Sequence, residues 1–127
     1  MQNYNFDNMP YVFWGKTECA RTRKLKDLYE KFINEVGENE VLFCDAQALF
    51  YDFLEALQNV TLPQWRETLL NKKYILIDGF HYFEQKKSIL EELNYIFKHT
   101  KAIVILTINK PLCSIGIMPI IRESINR

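Results

Sequence analysis

The sequence lacks the features that mark membrane-spanning, exported and disulfide-bonded proteins. No stretch approaches the roughly 18 consecutive apolar residues that a transmembrane helix needs, and the polar start at residues 1–5 is unlike a signal sequence. The three cysteines, Cys19, Cys44 and Cys113, are odd in number and show no metal-ligand spacing. These absences predict a protein of the reducing cytoplasm with no membrane partner.

A net charge is also absent, because 16 basic residues balance 16 acidic ones. No global electrostatic attraction therefore favours nucleic acid, and any such binding needs a local patch. One basic cluster lies early in the chain and consists of Arg21, Arg23, Lys24 and Lys26. The cluster is interpreted as a solvated helix face, with phosphate or nucleic-acid binding as the alternative.

The chain does contain an alternation of strand and helix patterns. Its 127 residues and 48% hydrophobic content suit a single domain over residues 1–127. Short apolar runs predict strands at 11–14, 41–44, 74–78 and 102–107, and helical spacing predicts helices at 21–36, 46–59, 62–71, 84–99 and 118–127. This order predicts an α/β fold, a three-layer αβα sandwich around a parallel sheet.

Two segments at the predicted carboxyl edge of this sheet suggest a nucleotide site. The strand at 74–78 is apolar until Asp78, which is how a buried strand delivers a carboxylate to Mg²⁺ and phosphate. Residues 15–22 have the length of the phosphate loop G-x-x-x-x-G-K-[ST], with Gly15, Ala20, Arg21 and Thr22 in its frame. The second glycine and the lysine of that motif are therefore replaced.

Four stretches in the same order carry a family resemblance, at residues 4–8, 50–59, 74–83 and 105–111. On these stretches the chain resembles the AAA+ core of the DnaA/Hda family of bacterial replication initiators and their regulators. The resemblance makes residues 74–78 a Walker B strand and residues 105–111 a sensor 1 turn. It implies a P-loop NTPase-like core whose degenerate nucleotide-binding positions are Gly15, Ala20, Arg21, Thr22, Asp78 and Asn109. Thr22 and Asp78 are the implied Mg²⁺ ligands.

The departures from the family pattern predict weak or no nucleotide binding. Glu18 stands where the relatives carry a glycine, which places a carboxylate near phosphate. Ala20 adds a Cβ to the loop, and Arg21 replaces a compact ammonium with a longer planar group. We therefore expect either no cofactor or weakly bound Mg-ATP or Mg-ADP.

The Walker B motif is also incomplete. Gly79 follows Asp78, where family members carry a second acid that polarises the attacking water. The sequence thus predicts a degenerate ATPase with no catalytic residue. His81 is a conceivable substitute base, and an ordinary turn residue is the alternative interpretation.

The resemblance also implies that two parts of the family's domain are missing. The relatives continue beyond the position of Arg127 with a fifth strand beside the first and with a helical lid. Without the fifth strand, the predicted strand at 11–14 becomes an exposed edge that favours pairing with another chain. A homodimer through this first-strand edge is therefore expected.

Two further pairs of residues are candidates for partner contacts. Arg122 and Arg127 lie where the family presents an arginine finger, and a solvated terminal helix is the alternative. Trp65 and Arg66 lie near the family's DNA-contacting helices, and an aromatic residue beside an arginine can stack on bases. A core position is the alternative for Trp65.

The sequence therefore predicts a non-hydrolysing binding or regulatory domain of replication initiation. Its expected partner is a DnaA-like initiator, another replication protein or DNA. One alternative is a Mg-ATP-binding module that a partner completes with a lid and an arginine finger. The other is a small dimeric structural domain without a ligand.

Overall fold

Four parallel strands and four α-helices make up residues 10–109, the part of the chain that the computed structural model describes. The strands are β1 (Tyr11–Trp14), β2 (Val41–Asp45), β3 (Tyr74–Asp78) and β4 (Ile103–Ile108). The helices are α1 (Glu18–Val36), α2 (Ala46–Gln58), α3 (Leu62–Leu70) and α4 (Lys87–His99), with 3-10 turns at Glu38–Glu40 and Phe80–Phe83. Each of these helices is too short or too polar to span a bilayer.

The sheet has the order β1-β4-β3-β2, and all its neighbouring strands are parallel. Every described strand therefore ends at the same edge of the sheet. Asp45 and Asp78 stand opposite each other at that edge, and Phe13 stands opposite Thr107. The predicted α/β fold with a parallel sheet is confirmed.

The helices pack on both faces of the sheet, which makes the three predicted layers. Side chains alternate between faces along a strand, so Ile75 and Ile77 of β3 pack in one buried cluster and Leu76 in the other. The first cluster includes residues from α2, α3 and α4, and the second includes Leu25 of α1. Both faces of β3 are thus buried from solvent, which explains its unbroken apolar run.

Two predicted helix starts are wrong. Helix α1 begins at Glu18 rather than at residue 21, because the Thr17 hydroxyl accepts a hydrogen bond from the Ala20 amide and caps the helix. Helix α4 begins at Lys87 rather than at residue 84, because a 3-10 turn and the positive φ of Gln85 (67°) precede it. The helix predicted at 118–127 lies outside the described residues.

Candidate nucleotide site

A carboxylate clamp joins three elements at the carboxyl edge of the sheet. Asp78, the last residue of β3, accepts a hydrogen bond from the Thr22 hydroxyl of α1 at 2.6 Å. Its other carboxylate oxygen accepts a hydrogen bond from the Thr107 hydroxyl of β4, also at 2.6 Å. Both distances are short, as expected for hydroxyl groups that donate to a charged acceptor. The two predicted Mg²⁺ ligands, Thr22 and Asp78, are therefore in direct contact with each other.

The residue after this clamp is held in a conformation that favours glycine. Gly79 has a φ of 75° and starts the 3-10 turn, and its amide donates a hydrogen bond to the Thr107 hydroxyl oxygen at 2.9 Å. An L-residue is strained in this left-handed region. The position therefore lacks an acid and also disfavours one.

The segment between β1 and α1 is only three residues long. It consists of Gly15, Lys16 and Thr17, so the last five residues of the predicted phosphate-loop frame belong to α1. The Ala20 amide donates to the Thr17 hydroxyl oxygen at 3.1 Å, and the Arg21 amide donates to the Thr17 carbonyl at 3.2 Å. These backbone amides are already bonded within the helix start.

Arg21 folds back onto the same short segment. Its guanidinium donates a hydrogen bond to the Gly15 carbonyl at 2.8 Å, and the Gly15 amide donates to the Ile108 carbonyl at 3.1 Å. The Nε of Arg21 is buried without a hydrogen-bond partner among residues 10–109. A Cβ at Gly15 would lie only 3.1 Å from Cγ of Arg21, so a larger residue there would displace this side chain.

An open cleft of about 250 Å³ lies beside the clamp. Its lining contains three carboxylates and one guanidinium, those of Glu18, Asp45, Asp78 and Arg21. The Asp45 carboxylate also caps α2 by accepting a hydrogen bond from the Ala48 amide at 2.8 Å. Within residues 10–109, no three His, Cys, Asp or Glu side chains are grouped closely enough to hold a metal ion.

The remaining predicted nucleotide-site residues are divided between this cleft and its surroundings. His81 lines the cleft together with Tyr82, which is not among the predicted site residues. Asn109 is exposed directly after β4 and does not line the cleft. Nearby, burial of the Cys44 thiol, together with the neighbouring carboxylates of Asp45 and Asp52, raises its pKa to about 12. That thiol is therefore protonated at neutral pH and is not a nucleophile.

The structure places Trp65 and Arg66 on α3, where both already contact other side chains. The Trp65 ring packs against Phe53 with their centroids 5.5 Å apart, as in the core alternative for this residue. The Arg66 guanidinium forms a two-point ion pair with the Glu92 carboxylate and lies over the Tyr95 ring, 5.2 Å from its centroid. Their proposed contact with DNA stays a prediction. Arg122 and Arg127 lie outside the described residues.

Thr17 and Thr107 also shape this region, although neither is among the predicted site residues. Thr107 is fully buried and bridges the Asp78 carboxylate and the Gly79 amide. A polar residue near the carboxyl end of an apolar strand was the available signal, because such a residue faces the ligand edge of a parallel sheet. Thr17 could be found from the preference of threonine for helix N-caps.

The fold and this edge define a parallel α/β domain of the P-loop type with an altered phosphate segment. The family model of the bacterial DnaA ATPase domain matches residues 2–115. The chain therefore belongs to the bacterial DnaA ATPase-domain family, which links it to replication initiation.

The relatives with known sequences are distant and longer. The chain is 25% identical over 88 residues to the chromosomal replication initiator protein DnaA of Levilactobacillus brevis, covering 69% of this chain and 20% of the relative. It is 23% identical over 114 residues to DnaA of Enterococcus faecalis, covering 87% of this chain and 25% of the relative. The chain thus spans about a quarter or less of the length of these relatives.

Solved structures show the same fold. Domain III of Thermotoga maritima DnaA superposes with a TM-score of 0.83 at 14% identity, covering 97% of this chain and 52% of that one. DnaA from Aquifex aeolicus bound to AMPPCP superposes with a TM-score of 0.76 at 17% identity, covering 84% of this chain and 34% of that one. A further similar structure is a replication initiator DnaA bound to AMPPCP and single-stranded DNA, with a TM-score of 0.77 at 17% identity over 87% of this chain and 35% of that one.

Proposed function

We propose that this chain is a DnaA-like domain that binds nucleotide weakly, does not hydrolyse it, and acts in replication initiation by binding another macromolecule. The observation that carries this proposal is the start of α1 at Glu18, with only three residues between it and β1. A phosphate loop needs free backbone amides in a longer loop between strand and helix. Here the frame is mostly helical, and Thr17 already accepts hydrogen bonds from two of those amides.

The charges around the cleft also oppose a nucleotide. Glu18 and Asp45 line the cleft beside Asp78, so a phosphate would enter next to three carboxylates. Arg21 is the cation on the same lining, and its guanidinium already donates to the Gly15 carbonyl. Neighbouring charges of like sign disfavour an incoming anion. The residues present therefore do not fit a tightly bound nucleoside triphosphate.

The two predicted magnesium ligands, Thr22 and Asp78, are not enough to form a Mg-nucleotide site. Mg²⁺ is usually held by one or two protein oxygens together with substrate phosphates and water. Thr22 and Asp78 supply such oxygens, but they bond to each other, and the other Asp78 oxygen bonds to Thr107. Without a phosphate to complete the coordination, we infer that this clamp serves the structure rather than a metal.

We expect calorimetric titration with Mg-ATP to give a Kd above about 100 μM, which corresponds to less than about 5.5 kcal/mol of binding free energy. Glu18→Gln removes one carboxylate from the cleft and should tighten the residual binding by a few fold. Glu30→Gln, on an exposed part of α1 away from the cleft, is the matched control and should change nothing. Submicromolar binding by the unmodified chain would contradict the proposal.

We expect no steady-state ATP hydrolysis, because Gly79 provides no carboxylate to orient water. The measurement is phosphate release at millimolar Mg-ATP, compared with a no-protein blank and with Asp78→Asn. Release that exceeds the blank and disappears in the variant would show that another group, for example His81, acts as the base. Equal release from the two proteins would instead indicate a contaminating ATPase.

The second candidate function is a Mg-ATP-binding module that a partner completes. The direct Thr22–Asp78 contact favours this alternative, because it keeps the two metal ligands together. A similar structure is of DnaA bound to AMPPCP, which shows what a relative of this fold binds. Repeating the Mg-ATP titration in the presence of a DnaA initiator separates the two functions, since only the completed module would gain affinity from the partner.

A further inference from the structure

We propose that the amino edge of the sheet, opposite the candidate nucleotide site, binds single-stranded nucleic acid. This inference deepens the proposal that the domain acts by binding, and it names a surface for that activity. An open cleft of about 570 Å³ lies at this edge. Its basic lining residues are Lys72, Lys73, His99 and Lys101. We call these four residues the basic cleft.

The lysines of the basic cleft are available to a ligand. Lys73 and Lys101 are exposed, and neither has a carboxylate partner within the described part of the chain. Lys72 donates from its ammonium to the Asn39 carbonyl at 2.9 Å, which keeps its charge at the same edge. A lysine acts on phosphate as a compact point charge. Two free ammonium groups and a third held nearby therefore suit a phosphodiester backbone.

The two loops that carry these lysines are fixed to each other. The buried Thr100 hydroxyl donates to the Leu70 carbonyl at 3.2 Å and accepts from the Ala102 amide at 3.0 Å. The Ile103 amide donates to the Lys73 carbonyl at 3.0 Å. These bonds join the end of α3, the end of α4 and the starts of β3 and β4. The backbone positions of Lys73 and Lys101 are thus set before a ligand arrives.

An exposed stack of rings continues from the basic cleft along α4. The His99 ring stacks on the Tyr95 ring with their centroids 4.2 Å apart, and His99 Nδ1 lies 2.8 Å from the Tyr95 carbonyl oxygen. Tyr95 is 45% exposed, and the Arg66 guanidinium covers part of its ring. Cations that follow a backbone, beside aromatic rings that accept bases, are the usual means of binding single strands. An acidic peptide would contact only the cations, because it has no bases to stack on the aromatic rings.

The surrounding carboxylates limit the affinity without removing the site. Glu92 is paired with Arg66, and Glu35 accepts a hydrogen bond from the Tyr74 hydroxyl at 2.7 Å. Glu38 and Glu40 lie in the 3-10 turn before β2, and the Glu40 carbonyl accepts the Lys73 amide. We therefore expect binding that is clear at low salt and weak at physiological salt.

The first test is a fluorescence anisotropy titration of the full chain with a labelled oligothymidylate of about 15 nucleotides. The double variant Lys73→Ala/Lys101→Ala should bind more weakly, and its plot of log affinity against log salt should be shallower by about 1.4, since each lost phosphate contact removes about 0.7. The double variant Lys31→Ala/Lys87→Ala removes the same charge from exposed positions of α1 and α4 outside the basic cleft and is the control. It should retain the original slope.

The second test separates base stacking from charge attraction. Tyr95→Ala should weaken binding by roughly 5- to 100-fold, the range for loss of one stacked base, with the salt slope unchanged. Tyr95→Phe keeps the ring and should restore most of the affinity. A poly-glutamate peptide of equal charge should compete poorly, because it has no bases.

Three results would each overturn this inference. The first is no anisotropy change at low salt up to about 100 μM protein, a concentration at which even non-specific nucleic-acid binding is detected. The second is an equal loss of binding in the two lysine variants, which would move the contact to the surface at large. The third is full binding by Tyr95→Ala or full competition by poly-glutamate. These titrations contain no ATP. Their outcome is therefore independent of how tightly the chain binds ATP.

Discussion

Replacing Asp78 with alanine should lower the free energy of unfolding by about 2–4 kcal/mol, because two hydroxyl donors lose a charged acceptor. Thr107 is fully buried, so water cannot replace the bond that its hydroxyl loses. Thr22 lies on α1 and Thr107 on β4, so the same substitution loosens both elements from β3. The loss is a large part of the total stability of a small domain. Urea unfolding followed by circular dichroism measures it.

Two further variants identify the cause of the loss. Asp78→Asn keeps the shape and one carbonyl acceptor, so it should cost less than alanine. Asp52→Ala removes the same charge from an exposed position of α2 and should change stability by less than about 0.5 kcal/mol. If Asp52→Ala cost as much as Asp78→Ala, net charge rather than the clamp would explain the effect.

The same measurement distinguishes a structural clamp from a working metal site. Acidic residues kept for a ligand often make the empty protein less stable, so their removal stabilises it. An Asp78→Ala variant more stable than the original chain would therefore contradict the clamp and favour the Mg-ATP module. So would a rise in the thermal midpoint on adding Mg²⁺, since a ligand of the folded state stabilises it.

The layers of the fold could be predicted because periodicity reports them directly. The apolar run of β3 and the helical spacing in α2 each record which faces are buried, and both elements were predicted close to their observed bounds. The start of α1 could not be predicted in the same way. It depends on one hydroxyl, that of Thr17, which caps α1 inside the segment that the motif predicts to be a phosphate loop. Hydrophobic spacing gives no sign of such a cap.

The candidate site was predictable only in part, for a related reason. Asp78 and Thr22 belong to a recognised motif, so the sequence named them. Thr107 lies in the stretch that resembles a sensor 1 turn, but its contact with Asp78 depends on the β3–β4 pairing that brings the two residues together. The basic cleft likewise joins Lys73 and Lys101, which only the folded sheet edge places together. Contacts between distant segments are set by tertiary packing and not by local pattern.

The chain is expected to form a dimer at tens of micromolar protein, through the outer edge of β1. Among residues 10–109, β1 pairs with β4 on one side only. Unpaired strand edges attract other strands because their amides and carbonyls lack partners. Light scattering should therefore give twice the mass of one chain. A monomer mass at these concentrations would remove the edge-pairing proposal and leave β1 covered by another part of the same chain.

The side of β1 to which each backbone amide points shows which residue to substitute in a test of this contact. The Gly15 amide donates to the Ile108 carbonyl of β4. Because amides alternate sides along a strand, the amides of Val12 and Trp14 point away from β4. The Val12 side chain packs against the core, whereas Trp14 is 50% exposed. Trp14 is therefore the position where the outer edge can be altered with little damage to the fold.

Two substitutions at Trp14 separate backbone pairing from burial of its ring. Trp14→Pro removes an outward amide, which a proline can do at a sheet edge without breaking the ladder to β4. Trp14→Ala removes the ring and keeps the amide. If β1 pairs with a second chain, proline should abolish the dimer and alanine should only weaken it. If alanine abolishes it as completely as proline does, the ring holds the dimer together. A dimer that survives both substitutions must use another surface, and the edge of β1 would then have no part in it.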